Sequence, residues 1–239
     1  MKKGNYVAFL PFYLMIVILF IGFAHSGSNA VTVLHESRPL EWTHCIVIDA
    51  GHGGIDGGAT SCTGALESGI NLEIALRLEG LLQLLGMNTK MIRTKDVSIY
   101  TSGNSIAAQK VSDLKERVRI ANETDGAILV SIHQNTFSDS RYDGAQVFYP
   151  PAGEGQYLAE ALQKSLIATL NSGSRRSPKR ATGVYLMEHI QCPGILIECG
   201  FLSNPQEEAK LRSPAYQKKL CCVIATNVVS FALDRQTND

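Results

Sequence analysis

The sequence lacks several features that would indicate a particular partner or scaffold. Its 22 basic residues balance 22 acidic ones, so no overall field favours nucleic acid or another polyanion. No internal repeat or low-complexity tract is present. The six cysteines form no C-x-x-C pair and no dense framework, and several lie in apolar surroundings, so we interpret most of them as buried thiols rather than zinc thiolates. What remains is a chain of 239 residues, 45% of them hydrophobic, which suits one globular domain with an N-terminal extension.

The N-terminal extension has the pattern of an export segment. Lys2 and Lys3 precede an apolar run over residues 6–24, which is long for the core of a signal peptide and near the lower limit for a membrane-spanning helix. We therefore predict a signal peptide or membrane anchor at residues 1–29, with an uncleaved anchor slightly favoured, and a linker at 30–43. With the two lysines inside, the rest of the chain would be extracytoplasmic and would contact the membrane through this segment.

Residues 44–235 alternate between strand-like and helix-like patterns. The segment 127–133 is apolar on both faces, as expected of a central parallel strand that is covered on both sides. The predicted elements are strand 45–48, helix 71–85, strand 88–92, a polar loop at 97–109, helix 113–124, strand 127–133, strand 145–149, helix 157–170, strand 194–198, a helix starting at 205 and helix 214–233. This alternation predicts a single-domain α/β fold, a three-layer sandwich whose largely parallel central sheet is flanked by helices.

Reactive side chains follow the ends of three predicted strands. His52 comes after the first strand in a glycine-rich loop, and His133 and Glu198 each end a later strand. Because ligands bind beyond the carboxyl ends of the strands in such sheets, these side chains should border one crevice. Glu67, just ahead of the first predicted helix, can fold back over it. Two imidazoles and one carboxylate form a catalytic zinc set that leaves a fourth position for water.

Polar residues at strand ends can also be structural, so spacing alone leaves both interpretations open. An unpaired imidazole or carboxylate in an apolar setting is costly, which favours a functional reason for His52, His133 and Glu198. The remaining histidines are interpreted as ordinary core or surface residues: His25, His35, His44 and His189.

An opening motif and five further blocks, all in order, carry a resemblance to a known family. They are IVIDAGHGGIDGGA at 46–59, Glu67 before Asn71-Leu72, Arg93-Thr94 with Asp96, Leu114 to Arg117 leading to Ala121-Asn122, residues 131–135 and residues 196–204. Over about residues 44–234 the chain resembles the N-acetylmuramoyl-L-alanine amidases of the amidase-3 type. Within that family it is most similar to the sporulation amidases of spore-forming bacteria.

The resemblance implies cleavage of the amide between the lactyl group of muramic acid and the L-alanine of the stem peptide. By the family pattern His52, Glu67 and His133 bind Zn²⁺, and Glu198 is the essential acid/base. Zinc would lower the pKa of its bound water from about 15.7 toward about 7 and polarise the scissile carbonyl. Glu198 would take the proton from this water and return it to the leaving amine. Its apolar setting should raise its pKa.

Two further residues receive smaller roles. Asp49 is a candidate for orienting His52, and Asn135 is a candidate for contacting substrate. Both residue types are common in turns, so a structural role stays open for each. A basic group is interpreted as a solvated loop rather than a contact with anionic glycan: Arg175, Arg176, Lys179 and Arg180.

The resemblance also implies peptidoglycan as the substrate and a location in the cell wall or spore cortex. For a sporulation amidase, removal of stem peptides would prepare muramic acid for the lactam formation needed for germination. A regulatory protein partner is a further expectation. Two alternatives stay open, namely a non-catalytic peptidoglycan-binding or activator module and another zinc hydrolase such as a carboxypeptidase or deacetylase. The intact His52, Glu67, His133 and Glu198 speak against the first, and the family resemblance ranks the second lower.

Overall fold

The structure, a computed structural model, describes residues 42–238. The predicted signal peptide or anchor at 1–29 and the predicted linker up to residue 41 lie outside the described residues. Among the helices of the described part, none combines the length and the apolar character needed to cross a bilayer.

A six-stranded sheet organises the described part of the chain. The strands are β1 (Cys45–Ala50), β2 (Asn88–Met91), β3 (Ala127–Asn135), β4 (Gln146–Tyr149), β5 (Lys179–Arg180) and β6 (Gly194–Phe201). Their order across the sheet is β2-β1-β3-β6-β4-β5. The first four in this order run parallel, whereas β4 is antiparallel to β6 and parallel to β5. A largely parallel sheet is therefore confirmed.

Helices cover both faces of the sheet. They are α1 (Glu67–Leu84), α2 (Ile106–Asn122), α3 (Gly155–Thr169), α4 (Tyr185–His189), α5 (Pro205–Leu211) and α6 (Pro214–Asn238). One face of β1 and β3 packs with buried residues of α1, α3 and α6, and the other face packs with residues of α2 and α4. All nine residues of β3 except His133 and Asn135 are buried, because the strand is covered on both sides. The predicted three-layer α/β sandwich is confirmed.

Two helices begin more than one turn earlier than their sequence patterns predicted. α1 starts at Glu67 rather than at 71, so this glutamate belongs to the first helical turn. α2 starts at Ile106, which makes the predicted loop wrong over 106–109 and the predicted helix start at 113 wrong. Ser105 caps α2 by accepting a hydrogen bond from Ala108 N at 3.2 Å. The first turns of α2 are exposed, with Ile106 63% accessible, so they carry no apolar periodicity.

The burial predicted for the cysteines is wrong for most of them. Cys199 and Cys221 are buried, and burial raises the pKa of the Cys199 thiol well above its usual value and that of Cys221 to about 12. Cys45 and Cys192 are half-buried, and Cys62 and Cys222 are exposed, so an apolar sequence neighbour does not guarantee burial. All six are free thiols.

Candidate metal centre

Three side chains that the sequence placed at one crevice meet in the structure. His52 lies in the loop after β1, Glu67 starts α1, and His133 lies near the end of β3. One ligand atom from each lies within 4.8 Å of the others. We call these residues the metal trio. The His52 Nε2 to Glu67 Oε2 distance is 3.3 Å and the His133 Nδ1 to Glu67 Oε1 distance is 3.1 Å. Two imidazoles and one carboxylate are a donor set that suits tetrahedral zinc, and the two distances lie close to the roughly 3.3–3.6 Å that separates ligands bound at about 2.0–2.2 Å.

Glycines allow the trio to approach so closely. A Cβ at Gly51 would lie 2.2 Å from the His133 ring, and a Cβ at Gly58 would lie 2.5 Å from Glu67 Oε2. His52 itself has φ 62°, a left-handed backbone conformation that is uncommon outside glycine. The glycine-rich loop therefore packs its backbone against His133 and Glu67, where any larger residue at Gly51 or Gly58 would collide with these side chains.

Adding one methyl group at Gly51 should test this packing. Gly51→Ala is expected to push His133 away and to weaken metal binding by about 10- to 100-fold, the range found when groups that support metal ligands are lost. Zinc titration of the purified protein measures the effect. Gly80→Ala in α1 is the matched control, because a Cβ there meets nothing within 4 Å. Equal zinc affinity of the two variants would contradict the role assigned to Gly51.

Glu67 is held in place by a set of donors around its carboxylate. Oε2 accepts from Ala59 N at 2.9 Å, and Oε1 accepts from Gln134 N at 3.0 Å and from Asn71 Nδ2 at 3.2 Å. Burial alone would raise the pKa of Glu67, but the hydrogen bonds from His133 and His52 outweigh burial and hold this pKa well below its usual value. The carboxylate is thus fixed in the charged form that a metal needs.

His52 is oriented from outside the trio by Asp56. The His52 Nδ1 to Asp56 Oδ2 distance is 2.9 Å, and Lys110 Nζ donates to Asp56 Oδ1 at 2.8 Å. Burial would lower the pKa of His52, but Glu67 and Asp56 together raise it to about 9. A carboxylate on the second ring nitrogen fixes both the tautomer and the orientation of a ligating histidine.

Asp49, the residue expected to orient His52, has other partners. Its carboxylate is paired with Arg117 and accepts from Ser131 Oγ at 2.7 Å. Arg117 in turn donates to the carbonyl of Ala50 at 3.0 Å and to that of His52 at 2.7 Å. Asp49 is therefore connected to the backbone of His52 through Arg117, and the imidazole itself contacts Asp56.

Glu198 borders the trio from the neighbouring strand. It lies opposite His133 in the parallel register of β3 and β6. Its Oε2 is buried and has no hydrogen-bond partner among the described residues. Burial raises the pKa of Glu198 to about 6, although positive charge on His133 acts in the opposite direction. A carboxyl group with a pKa near neutrality can both accept and donate a proton.

Asn135 ends β3 two residues beyond His133, where the pairing with β6 becomes irregular. Its carbonyl accepts from Leu202 N at 2.8 Å, and its side chain is half-buried. Asn135 thus lies at the carboxyl end of β3, and a contact with substrate stays a prediction.

A cleft of about 200 Å³ opens beside His52 and His133 on the side of α2 and α4. Its walls are largely apolar and include Ile55, Leu114, Val184, Tyr185 and Leu186. Periodicity did not reveal this cleft, because α4 has only five residues and was not predicted. A largely apolar cleft next to convergent polar side chains is the usual form of a small-molecule site.

Comparison with known proteins identifies the family. The family model described as N-acetylmuramoyl-L-alanine amidase matches residues 46–229, which include the metal trio and Glu198. The chain belongs to this family. Germination-specific N-acetylmuramoyl-L-alanine amidase of Bacillus subtilis (strain 168) is 34% identical over 236 residues, which are 98% of this chain and 97% of that protein.

Solved structures of the family share this fold. The CwlD amidase of Clostridioides difficile, in complex with the GerS lipoprotein, superimposes with a TM-score of 0.75 at 34% identity, over 80% of this chain and 98% of that chain. An N-acetylmuramoyl-L-alanine amidase of Clostridium difficile 630 gives a TM-score of 0.70 at 30% identity, over 81% of this chain and 98% of that chain. The amidase fold is therefore present from β1 through α6.

Proposed function

We propose that this amidase is zinc-dependent and hydrolyses the amide between the lactyl group of muramic acid and the L-alanine of peptidoglycan stem peptides. One observation carries the proposal. In a chain of the N-acetylmuramoyl-L-alanine amidase family, His52, Glu67 and His133 meet in one crevice beside Glu198, whose Oε2 is buried and has no hydrogen-bond partner within residues 42–238.

The residues of the crevice have two separate roles, metal binding and proton transfer. His52, Glu67 and His133 hold the metal, which when bound makes water a stronger acid and polarises the scissile carbonyl. Glu198 accepts the proton of the attacking water and returns it to the nitrogen of L-alanine as the amide bond breaks. The raised pKa of Glu198, about 6, suits both steps. Asp56 and Lys110 keep the His52 ring oriented throughout.

The biological setting is proposed from the relatives. The Bacillus subtilis relative is named germination-specific, which supports a role in spore cortex maturation, where stem-peptide removal precedes muramic lactam formation. The CwlD amidase was solved with a lipoprotein, which supports a regulatory protein partner for this chain as well. Together with the sequence pattern of residues 1–29, these relatives support export and membrane contact through that segment.

Product analysis tests the activity. Purified protein loaded with one equivalent of zinc should release stem peptides with a free L-alanine amine and leave muramic acid with a free lactyl carboxylate, as seen by mass spectrometry. Chelation should abolish the release and added zinc should restore it. Products that retain the lactyl-alanine amide but are cut or deacetylated elsewhere would show a different hydrolase. Zinc binding by a protein that releases nothing, even with its partner present, would show a non-catalytic module.

A further inference from the structure

A second concave surface begins one strand away from Glu198. Gln146 lies directly opposite Glu198 in the antiparallel pair of β4 and β6, so the two side chains are on the same face of the sheet. Opposed residues in such a pair have Cα atoms about 4.5–5.5 Å apart. Gln146 also lines a basin of about 740 Å³. This basin, which we call the β4–β5 basin, lies on the other side of Glu198 from the apolar cleft.

The β4–β5 basin is basic although the whole chain is neutral. Four cationic side chains line it and outnumber two carboxylates: Arg141, Arg175, Arg176 and Lys179 against Asp139 and Asp143. Arg141 is paired with Asp139 at 2.7 Å. Arg175 and Lys179 are exposed and have no acidic partner within ion-pair distance in residues 42–238. Two positive charges are thus available to a ligand.

The wall of the basin is fixed to the sheet. Arg176 donates to the carbonyl of Asp143 at 3.2 and 3.0 Å from two of its nitrogens, and its guanidinium lies 5.0 Å from the centre of the Phe201 ring in β6. Gln146 Nε2 donates to the carbonyl of Ser177 at 2.7 Å, and Gln146 Oε1 is buried without a partner in the described part. The segment that carries Arg175 and Lys179 is therefore held against the strands next to Glu198.

We propose that the β4–β5 basin binds the carboxylates of the stem peptide beyond its L-alanine. The inference rests on the proposed function. It assigns the acyl part of the scissile amide to the cleft on one side of Glu198 and the amine part to the basin on the other side. The acyl side carries an uncharged lactyl sugar, which requires no free cation and can lie in the cleft beside His52 and His133. The amine side continues into an acidic peptide, which matches the free charges of Arg175 and Lys179. An extended residue spans about 3.3–3.6 Å, so a carboxylate on the second residue reaches one strand beyond Glu198.

Binding of the leaving peptide tests the basin without any turnover. The probe is L-alanyl-D-glutamate, compared with the same dipeptide with both carboxyls amidated, in calorimetric titrations of the full-length protein. The wild type should bind the dicarboxylate about tenfold more tightly than the diamide, and added salt should reduce the difference. The double variant Arg175→Gln/Lys179→Gln should lose this preference. Arg180→Gln, a neighbouring exposed cation that does not line the basin, should keep it.

Turnover of muramoyl peptides separates this inference from the proposed function. The double variant should show a KM raised about tenfold with kcat within about twofold of the wild type, because the lost contacts are made equally before and during the reaction. Amidase activity with unchanged peptide binding in the double variant would overturn the basin and leave the function standing. If the double variant loses the preference for the dicarboxylate but the wild type cleaves no amide, the proposed function is overturned and the basin remains a peptide-binding site. If the double variant loses binding to an anionic wall polymer but binds the dipeptide as the wild type does, the assignment of the basin to the stem peptide is also overturned.

Discussion

Replacing Glu198 by glutamine is expected to lower kcat by about 10²–10⁴-fold while the protein still binds one zinc ion. Glutamine fills the same space but cannot take a proton from water or return one to the leaving amine. Glu198 makes no hydrogen bond through Oε2 to the described residues, so its replacement breaks no such contact. Initial rates of stem-peptide release, measured at a fixed zinc content, give the effect. Glu160→Gln, an exposed glutamate on α3, is the matched control and should retain full activity.

The stability of the Glu198→Gln protein distinguishes lost chemistry from lost folding. The pKa of Glu198 is raised from 4.5 to about 6 in the folded zinc-free protein. The folded state therefore holds this proton more tightly, and stability falls as pH rises from about 4.5 through about 6, by roughly 2 kcal/mol. Glutamine has no such cost, so the variant should be at least as stable as the wild type above pH 6. A variant that is both inactive and less stable there, or one that keeps a tenth of the activity, would contradict the acid/base role.

Replacing Arg117 by methionine is expected to lower the free energy of unfolding by about 3–5 kcal/mol, the usual cost of breaking a buried ion pair from one side. Arg117 and Asp49 have side chains that are only 3% and 1% exposed. Burial would raise the pKa of Asp49, but Arg117 holds it below its usual value, so removal of the cation leaves a buried carboxylate without its ion-pair partner. Urea unfolding at neutral pH measures the loss.

Arg119→Met provides the control for this prediction. It lies on the same helix, pairs with Glu116 and Glu123, and is half exposed, so its loss should change stability little. The double variant Asp49→Asn/Arg117→Met should regain part of the stability, because it no longer buries an unpaired charge. If Arg117→Met costs no more than Arg119→Met, the buried pair of Asp49 and Arg117 does not stabilise the fold.

The sequence indicated which side chains meet at the crevice better than it indicated their supporting contacts. Strand-end positions and family blocks pointed to His52, Glu67, His133 and Glu198, and the structure brings them together. Asp49 was a candidate for orienting His52, with a role in a turn as the alternative. In the structure the His52 ring contacts Asp56 instead. The left-handed backbone at His52 reverses the chain direction, and the reversal brings Asp56 next to the imidazole. Spacing along the chain does not report such a reversal.

The fold was predictable where burial imposes a pattern and unpredictable where it does not. The doubly covered β3 gave a continuous apolar run, so its position was clear. The antiparallel direction of β4 is set by its pairing with β6. The alternation of its four residues gives no information on whether the strand runs parallel or antiparallel to its neighbour. β5 has two residues, too few for any period, and so the loop that carries Arg175 and Lys179 could not be related to Glu198 from sequence.

The edge strands β4 and β5 form a part of the molecule that can change without altering the strands that carry the metal trio and Glu198. The metal trio and Glu198 come from the β1 loop, α1, β3 and β6, whereas the β4–β5 basin comes from the edge pair and its flanking loops. Insertions or exchanges after β3 or before β5 would leave the metal-binding strands in register. If the β4–β5 basin binds the stem peptide as proposed, a family with this layout can adapt to new stem peptides by changing this edge while the residues of the crevice stay the same. Grafting residues 136–146 and 171–180 between relatives is a direct way to transfer that preference.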